Sequence, residues 1–162
     1  MADPVRAGID AGLAATWFGS SLDSEMRARL ASLGRTQHYN AGEVVLQEGE
    51  LADDLGIVVA GRIGLRVRVP ERGSVTILTV EPGDIVGWSA IVPPHRSTST
   101  AIALVPSEVL AFAGPELRAA LDADPALAAA VYPRVLRALA RRLDGTRLQL
   151  LDLFTAPGMD PW

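Results

Sequence analysis

The sequence predicts an α+β, mainly β fold: an antiparallel β jelly roll flanked by N-terminal helices and by a C-terminal hinge helix and long helix. Three observations predict it. Between Thr36 and Phe112, Val/Ile/Leu runs are cut short by Gly42, Gly49, Gly56, Gly61, Gly64, Gly73, Gly83 and Gly87, with no helical pattern between them; many short strands at regular spacing indicate a barrel or jelly roll. Arg66-Val67-Arg68-Val69 alternates with period two, as a half-exposed strand does. Both flanks instead repeat apolar residues at three- and four-residue steps, the helical period.

Taken in order, residues 1–34 form an N-terminal helical segment. Ile9, Leu13 and Trp17 stand at i, i+4 and i+8 and predict one helical face, broken at Gly19-Ser20-Ser21. Asp23 or Ser21 caps a second helix with Leu22, Met26, Leu30 and Leu33 on its stripe and Gly34 as its stop. Trp17 and Phe18 read as core. Residues 35–113 form the β roll, with runs at 43–47, 55–60, 62–69, 74–80, 84–86, 98–105 and 109–112, and hairpin turns at Ala60-Gly61-Arg62 and Glu71-Arg72-Gly73.

Residues 114–154 are helical again. Gly114-Pro115-Glu116 opens a short helix through Leu121, and Asp124-Pro125 opens a longer one. Pro133 inside that run predicts a kink or a break. Leu136, Leu139, Leu143, Thr146, Leu150 and Leu153 then form a heptad seam, which suits pairing with a second copy of the helix; the alternative is a helix folded back on its own roll. Gly145 weakens the helix or marks a bend. Residues 155–162 are a tail, and the whole reads as one structural domain.

Composition narrows the function. The chain has 162 residues, 49% of them hydrophobic, a net charge of −4 and no cysteine. The acidic balance supplies no general basic field for nucleic acid, and thiolate metal sites and disulfides are excluded. No apolar run approaches a membrane span and no signal-peptide pattern opens the chain, so a cytoplasmic protein is expected. His38 and His95 lack ligand spacing, Asp53-Asp54 and Glu48/Glu50 read as a solvated loop, and no nucleophile–base constellation is recognisable. No metal site and no enzyme is expected.

The stretch that carries chemistry is 83–101, GDIVGWSAIVPPHRSTSTA. Gly87 at a turn, free N–H groups where a helical turn begins, Arg96 and the hydroxyls of Ser97, Thr98, Ser99 and Thr100 compose an anion cradle, favourable for a phosphate. The same residues also read as an ordinary strand–turn–strand corner with a surface arginine.

The order of these elements, from about Phe18 to Phe154, resembles the cyclic-nucleotide-binding domain of CRP/FNR-type regulators. The residues that carry the resemblance are Tyr39–Glu50, Leu55–Ile63, the Pro82-Gly83-Asp84-Ile85-Val86-Gly87 lead into a phosphate-binding cassette, and Ala140-Arg141-Arg142-Leu143 in the long helix. The resemblance implies a regulatory module without enzymatic activity that binds a small anionic ligand, cAMP or another cyclic nucleotide, and forms a homodimer through the C-terminal helix. It implies backbone N–H donation to phosphate at Gly87, Ser89 and Ala90. Trp88 occupies the place of the family's ribose-binding glutamate and accepts no hydrogen bond. Arg96 is the candidate for the phosphate-pairing arginine, yet aligning the small-residue run puts Ser97 in that place and Arg96 one residue early, and a one-residue slip in a strand reverses a side chain's direction. Thr98 follows in the run, and Thr146 coincides with the long-helix hydroxyl that meets adenine in cAMP-responsive members. The family's transcription factors continue into a helix-turn-helix; the eight residues after Phe154 cannot hold one, so a stand-alone form without DNA binding is expected. A ligand-free scaffold of the same fold for a protein partner is the alternative, favoured by Trp88 and the displaced Arg96.

Overall fold

The computed structural model describes residues 3–155, with side chains through residue 152. Of the expected tail only Thr155 falls among them, and the seam's Leu153 side chain lies outside them.

The N-terminal segment forms α1 (Pro4–Ala14), α2 (Trp17–Ser20) and α3 (Ser24–Ala31). Asp3 caps α1 by accepting from Val5 N, with Pro4 in the first helical position, where its missing N–H costs nothing. Asp23 caps α3, accepting from Met26 N at 2.8 Å. One expectation is corrected here. Trp17 does not continue the Ile9–Leu13 stripe, because Thr16 ends that helix and caps the next, accepting from Gly19 N at 3.2 Å. Ile9 and Leu13 are buried; Trp17 is half-buried on a separate turn.

The β roll comprises β1 (Gly34–Tyr39), β2 (Val44–Leu46), β3 (Asp54–Ala60), β4 (Ile63–Val69), β5 (Gly73–Val80), β6 (Ile85–Val86), β7 (Thr100–Ala103) and β8 (Ser107–Ala113). They form two four-stranded antiparallel sheets, ordered β1-β8-β3-β6 and β2-β7-β4-β5. The run expected at 98–105 is strand only over β7, and β1 was not among the expected runs. Its sequence, GRTQHY, lacks the Val/Ile/Leu content of the others.

The central strands of the first sheet, β3 and β8, are buried on both faces. Val58, Val86 and Val109 meet Ile63, Leu65 and Ala101 of the second sheet inside the roll. Leu55, Ile57, Leu110 and Phe112 face outward into a second core with α1–α3 and the C-terminal helices. Alternation along β3 and β8 serves both cores at once.

After β8 come α4 (Gly114–Ala123) and α5 (Pro125–Thr155). Asp124 caps α5, accepting at 3.1 Å from both Ala126 N and Leu127 N. These bonds, the Leu127 N–H foremost, hold its carboxyl below the usual aspartate range. The helix runs unbroken through Pro133, so a break there is corrected. Packing holds that segment: Val131, Val135 and Ala138 are buried around it, and Arg134 anchors it to the N-terminal segment through Phe18 O (2.9 Å) and Ser21 Oγ (2.8 Å). On the opposite side of α5 leucines stand in the open, with Leu136, Leu143 and Leu150 at 65%, 53% and 51% exposure, while Leu139 is partly buried against the core.

Phe112, 0% exposed, is with Phe18 one of the two largest side chains fully buried in this core. Phe112→Ala is expected to lower unfolding free energy by about 3–5 kcal/mol, read from urea denaturation as a lower midpoint with an unchanged slope.

Candidate functional site: a glycine-led turn closed by the long helix

The site begins where β6 pairs with β3, Gly56 opposite Val86 and Ile57 opposite Ile85. Gly87 follows with φ 74°, left-handed, and a Cβ there would collide with the carbonyl oxygen of Asp54 on β3. Only glycine can turn the chain so close to β3. A single 3-10 turn, Trp88–Ala90, comes next, with Ser89 and Ala90 buried and Trp88 half-buried against the helical core.

Residues 95–97 run beside residues 49–52. Gly49 N donates to Ser97 O (2.8 Å), Ser97 N to Glu50 O (2.9 Å) and Ala52 N to His95 O (2.9 Å). This extended pairing fixes the alternation of side chains. Ser97 turns inward and is 6% exposed; Arg96 turns outward and donates from Nη1 to Gly49 O at 2.9 Å.

Of the residues expected at the site, Gly87, Trp88, Ser89, Ser97 and Thr98 therefore line one cavity. Ala90 lies behind it in the core. The structure does not bring Arg96 or Thr146 to this cavity: Arg96 is on the outer surface, and the exposed Thr146 donates back along α5 to Arg142 O at 2.9 Å.

Sequence reasoning missed Arg142 as a wall of the cavity, beside Leu46, Leu65 and Ser99. Its Nη2 donates to Ile85 O at 2.6 Å, and burial draws its pKa below the ordinary arginine range, with Asp84 opposing. The available signal was its place in Ala140-Arg141-Arg142-Leu143, off the leucine seam. The turn is clasped at other carbonyls too. Arg118 of α4 donates to Ala90 O, and His95 Nδ1 lies 3.1 Å from Ser89 O. Next to Arg142, Arg141 pairs with Asp84 at 2.8 Å and stacks its guanidinium 4.0 Å from the Trp17 ring centroid.

The space left between these residues is about 10 Å³ and partly open to solvent, room for about one water. Across Leu46 and Val86 lies a wider one of about 310 Å³, entered past Tyr39, Glu50 and Asp53. On the other side of Arg142, a cleft of about 200 Å³ separates α5 from β5.

Fold and turn together give an antiparallel β roll with a helical arm laid across its glycine-led turn. Residues 36–124 match the cyclic nucleotide-binding domain, and the chain belongs to that family. It is 32% identical over 116 residues to the CRP-like cAMP-activated global transcriptional regulator of Mycobacterium tuberculosis, covering 71% of this chain and 50% of the relative. The chain thus spans about half the length of the curated relatives it matches. Among solved structures, the N-terminal domain of a transcriptional regulator from Streptomyces coelicolor superposes with a TM-score of 0.65 at 27% identity, over 91% of this chain and 99% of that one. A cyclic nucleotide-binding domain from Methylobacillus flagellatus gives 0.79 at 19% identity, over 95% and 86%, a likeness of fold.

The glycine requirement has a direct check. Gly42 and Gly87 both have positive φ, but a Cβ at Gly42 meets open space. Gly42→Ala should cost only backbone strain, about 1–3 kcal/mol. Gly87→Ala should cost clearly more in parallel denaturation curves, because Asp54 O must also move.

Proposed function

We propose that this chain is a sensory, regulatory module that takes an anionic small ligand, a cyclic nucleotide, at the Gly87 turn and signals through α5. The observation that carries the reading is the position of Arg142. A residue of α5 walls the binding turn and holds Ile85 O, and the remaining cavity of about 10 Å³ is far below the roughly 300 Å³ or more of a small-molecule site. A nucleotide enters only if Arg142 moves, so occupancy of the turn and the placement of α5 are linked. The cAMP-activated relative supports the choice of ligand class. The role is binding, with no catalytic step assigned to any residue.

The exposed leucines of α5 support a homodimer. Leu136, Leu143 and Leu150 recur at heptad spacing and stand in solvent, the arrangement a second copy would cover. A protein partner on the same face is the neighbouring case.

One observation favours a second reading, a ligand-free scaffold of the same fold. The space at the turn is only about 10 Å³, and Trp88 offers a donor and no acceptor to a ribose.

Calorimetric titration of cAMP and cGMP separates the two. The sensor reading expects micromolar binding of at least one nucleotide and a raised Tm; no heat and no shift with either would leave the scaffold. For the dimer, sedimentation of the Leu136→Glu/Leu143→Glu double variant should give a monomer where the unsubstituted protein gives a dimer, with Tm of the roll retained. A monomer in both would remove the dimer.

A further inference from the structure

We propose that Arg142, reaching in from α5, is the residue that pairs with the anionic group of the ligand, with the Ser97 hydroxyl as its fellow donor, and that Arg96 has no part in binding. The proposal takes its nucleotide from the sensor reading above; the anion site itself does not depend on it.

Two independent observations point to an anion. The first is a half-buried cation with no carboxylate hydrogen-bonded to it. Arg142 carries five N–H donors, and its one described hydrogen bond goes to a neutral carbonyl, Ile85 O. No aspartate or glutamate lines the cavity. Asp84 acts on Arg142 through its charge but makes its hydrogen bond to Arg141, at 2.8 Å. A partly desolvated charge that no carboxylate bonds directly favours an anion beside it.

The second observation is Ser97. It is 6% exposed, lines the same cavity, and its Oγ is without a hydrogen-bond partner. A buried hydroxyl left unmatched is uncommon in a folded protein. A phosphoryl oxygen accepts from a hydroxyl and from a guanidinium fork at once, so one anionic group satisfies both residues.

The strand alternation explains why the charge comes from the helix. The inward position of the 95–97 segment is held by Ser97, which is neutral, while Arg96 is turned to the surface and bonded to Gly49 O. Arg142 also has somewhere to turn. It borders both the small cavity at the Gly87 turn and the cleft of about 200 Å³ between α5 and β5, so its guanidinium can leave Ile85 O and close on an anion without being driven into the core. That exchange is a contact made by α5 itself, which gives the ligand a direct hold on the helix.

The test compares the unsubstituted protein with Arg142→Gln, Arg142→Lys, Ser97→Ala and Arg96→Gln. cAMP is titrated by calorimetry, and Tm is measured in inorganic phosphate against chloride at equal ionic strength, which holds general screening constant. Arg142→Gln should weaken cAMP by about 10- to 100-fold, the loss of a charge-assisted bond, and abolish the phosphate-induced rise in Tm. Arg142→Lys should retain part of both, and Ser97→Ala should weaken both. Arg96→Gln should stay within about twofold, as expected of a surface charge.

Loss of binding in Arg96→Gln with retention in Arg142→Gln would overturn the assignment while leaving the sensor reading intact. Tighter cAMP binding by Arg142→Gln would also overturn it, showing the arginine to be a plug. Phosphate stabilisation that Arg142→Gln removes, without any nucleotide binding, would uphold the anion site and sink the nucleotide sensor. Absence of both responses in the unsubstituted protein would overturn both.

Discussion

The close approach of the Gly87 turn to β3 is the constraint on which the site depends. Two residues without side chains make it possible. Gly87 lies against Asp54 O with a left-handed φ, and Gly56, its neighbour across the pairing, would carry a Cβ only 2.7 Å from Val109 and 2.8 Å from Val86. With these contacts fixed, the chain leaves β6 in one direction, the Trp88–Ala90 turn is laid against the helical core, and the carbonyls of Ile85, Ser89 and Ala90 become available to donors from other elements. The Gly87 turn is thus a junction: β3 sets its path, α4 holds an oxygen of the turn and α5 one of β6 just before it.

Those holds are made by one residue type. All fifteen basic residues of the chain are arginine. Several donate to main-chain oxygens instead of pairing with acids: Arg134 to Phe18, Arg118 to Ala90, Arg142 to Ile85 and Arg96 to Gly49. A planar, weakly hydrated fork can serve a carbonyl at a partly buried joint, where an ammonium would lose more hydration. The joints between helices and roll therefore carry positive charge into places where little negative charge answers it, and the cavity at Gly87 is the clearest of them.

Much of the fold was legible in the sequence because its signals are local. Glycine punctuation between β-branched runs marked the roll, and Asp23 and the Asp124-Pro125 pair marked helix starts. What escaped depended on long-range partners. β1 is a polar hexapeptide whose strand character comes from pairing along its length with β8. The helix end before Trp17 rests on one hydroxyl, Thr16, against an apolar spacing that suggested continuity. Continuity through Pro133 depends on what surrounds the helix there. At the site, the period-two rule agrees with the outward turn of Arg96. No spacing rule could bring Arg142 forward by 55 residues, since its position is set by how α5 lies on β6.

The two described tryptophans sit at opposite ends of the same joint. Trp17 lies under the Arg141 guanidinium of α5, and Trp88 lies in the wall of the cavity. An indole's emission responds to nearby charge and to water, so lifting α5 would strip the cation from one ring while filling the cavity would change the surroundings of the other. The protein consequently carries its own pair of optical reporters, one for occupancy and one for the arm, and the order in which their signals change would tell whether ligand entry leads or follows the movement of the helix.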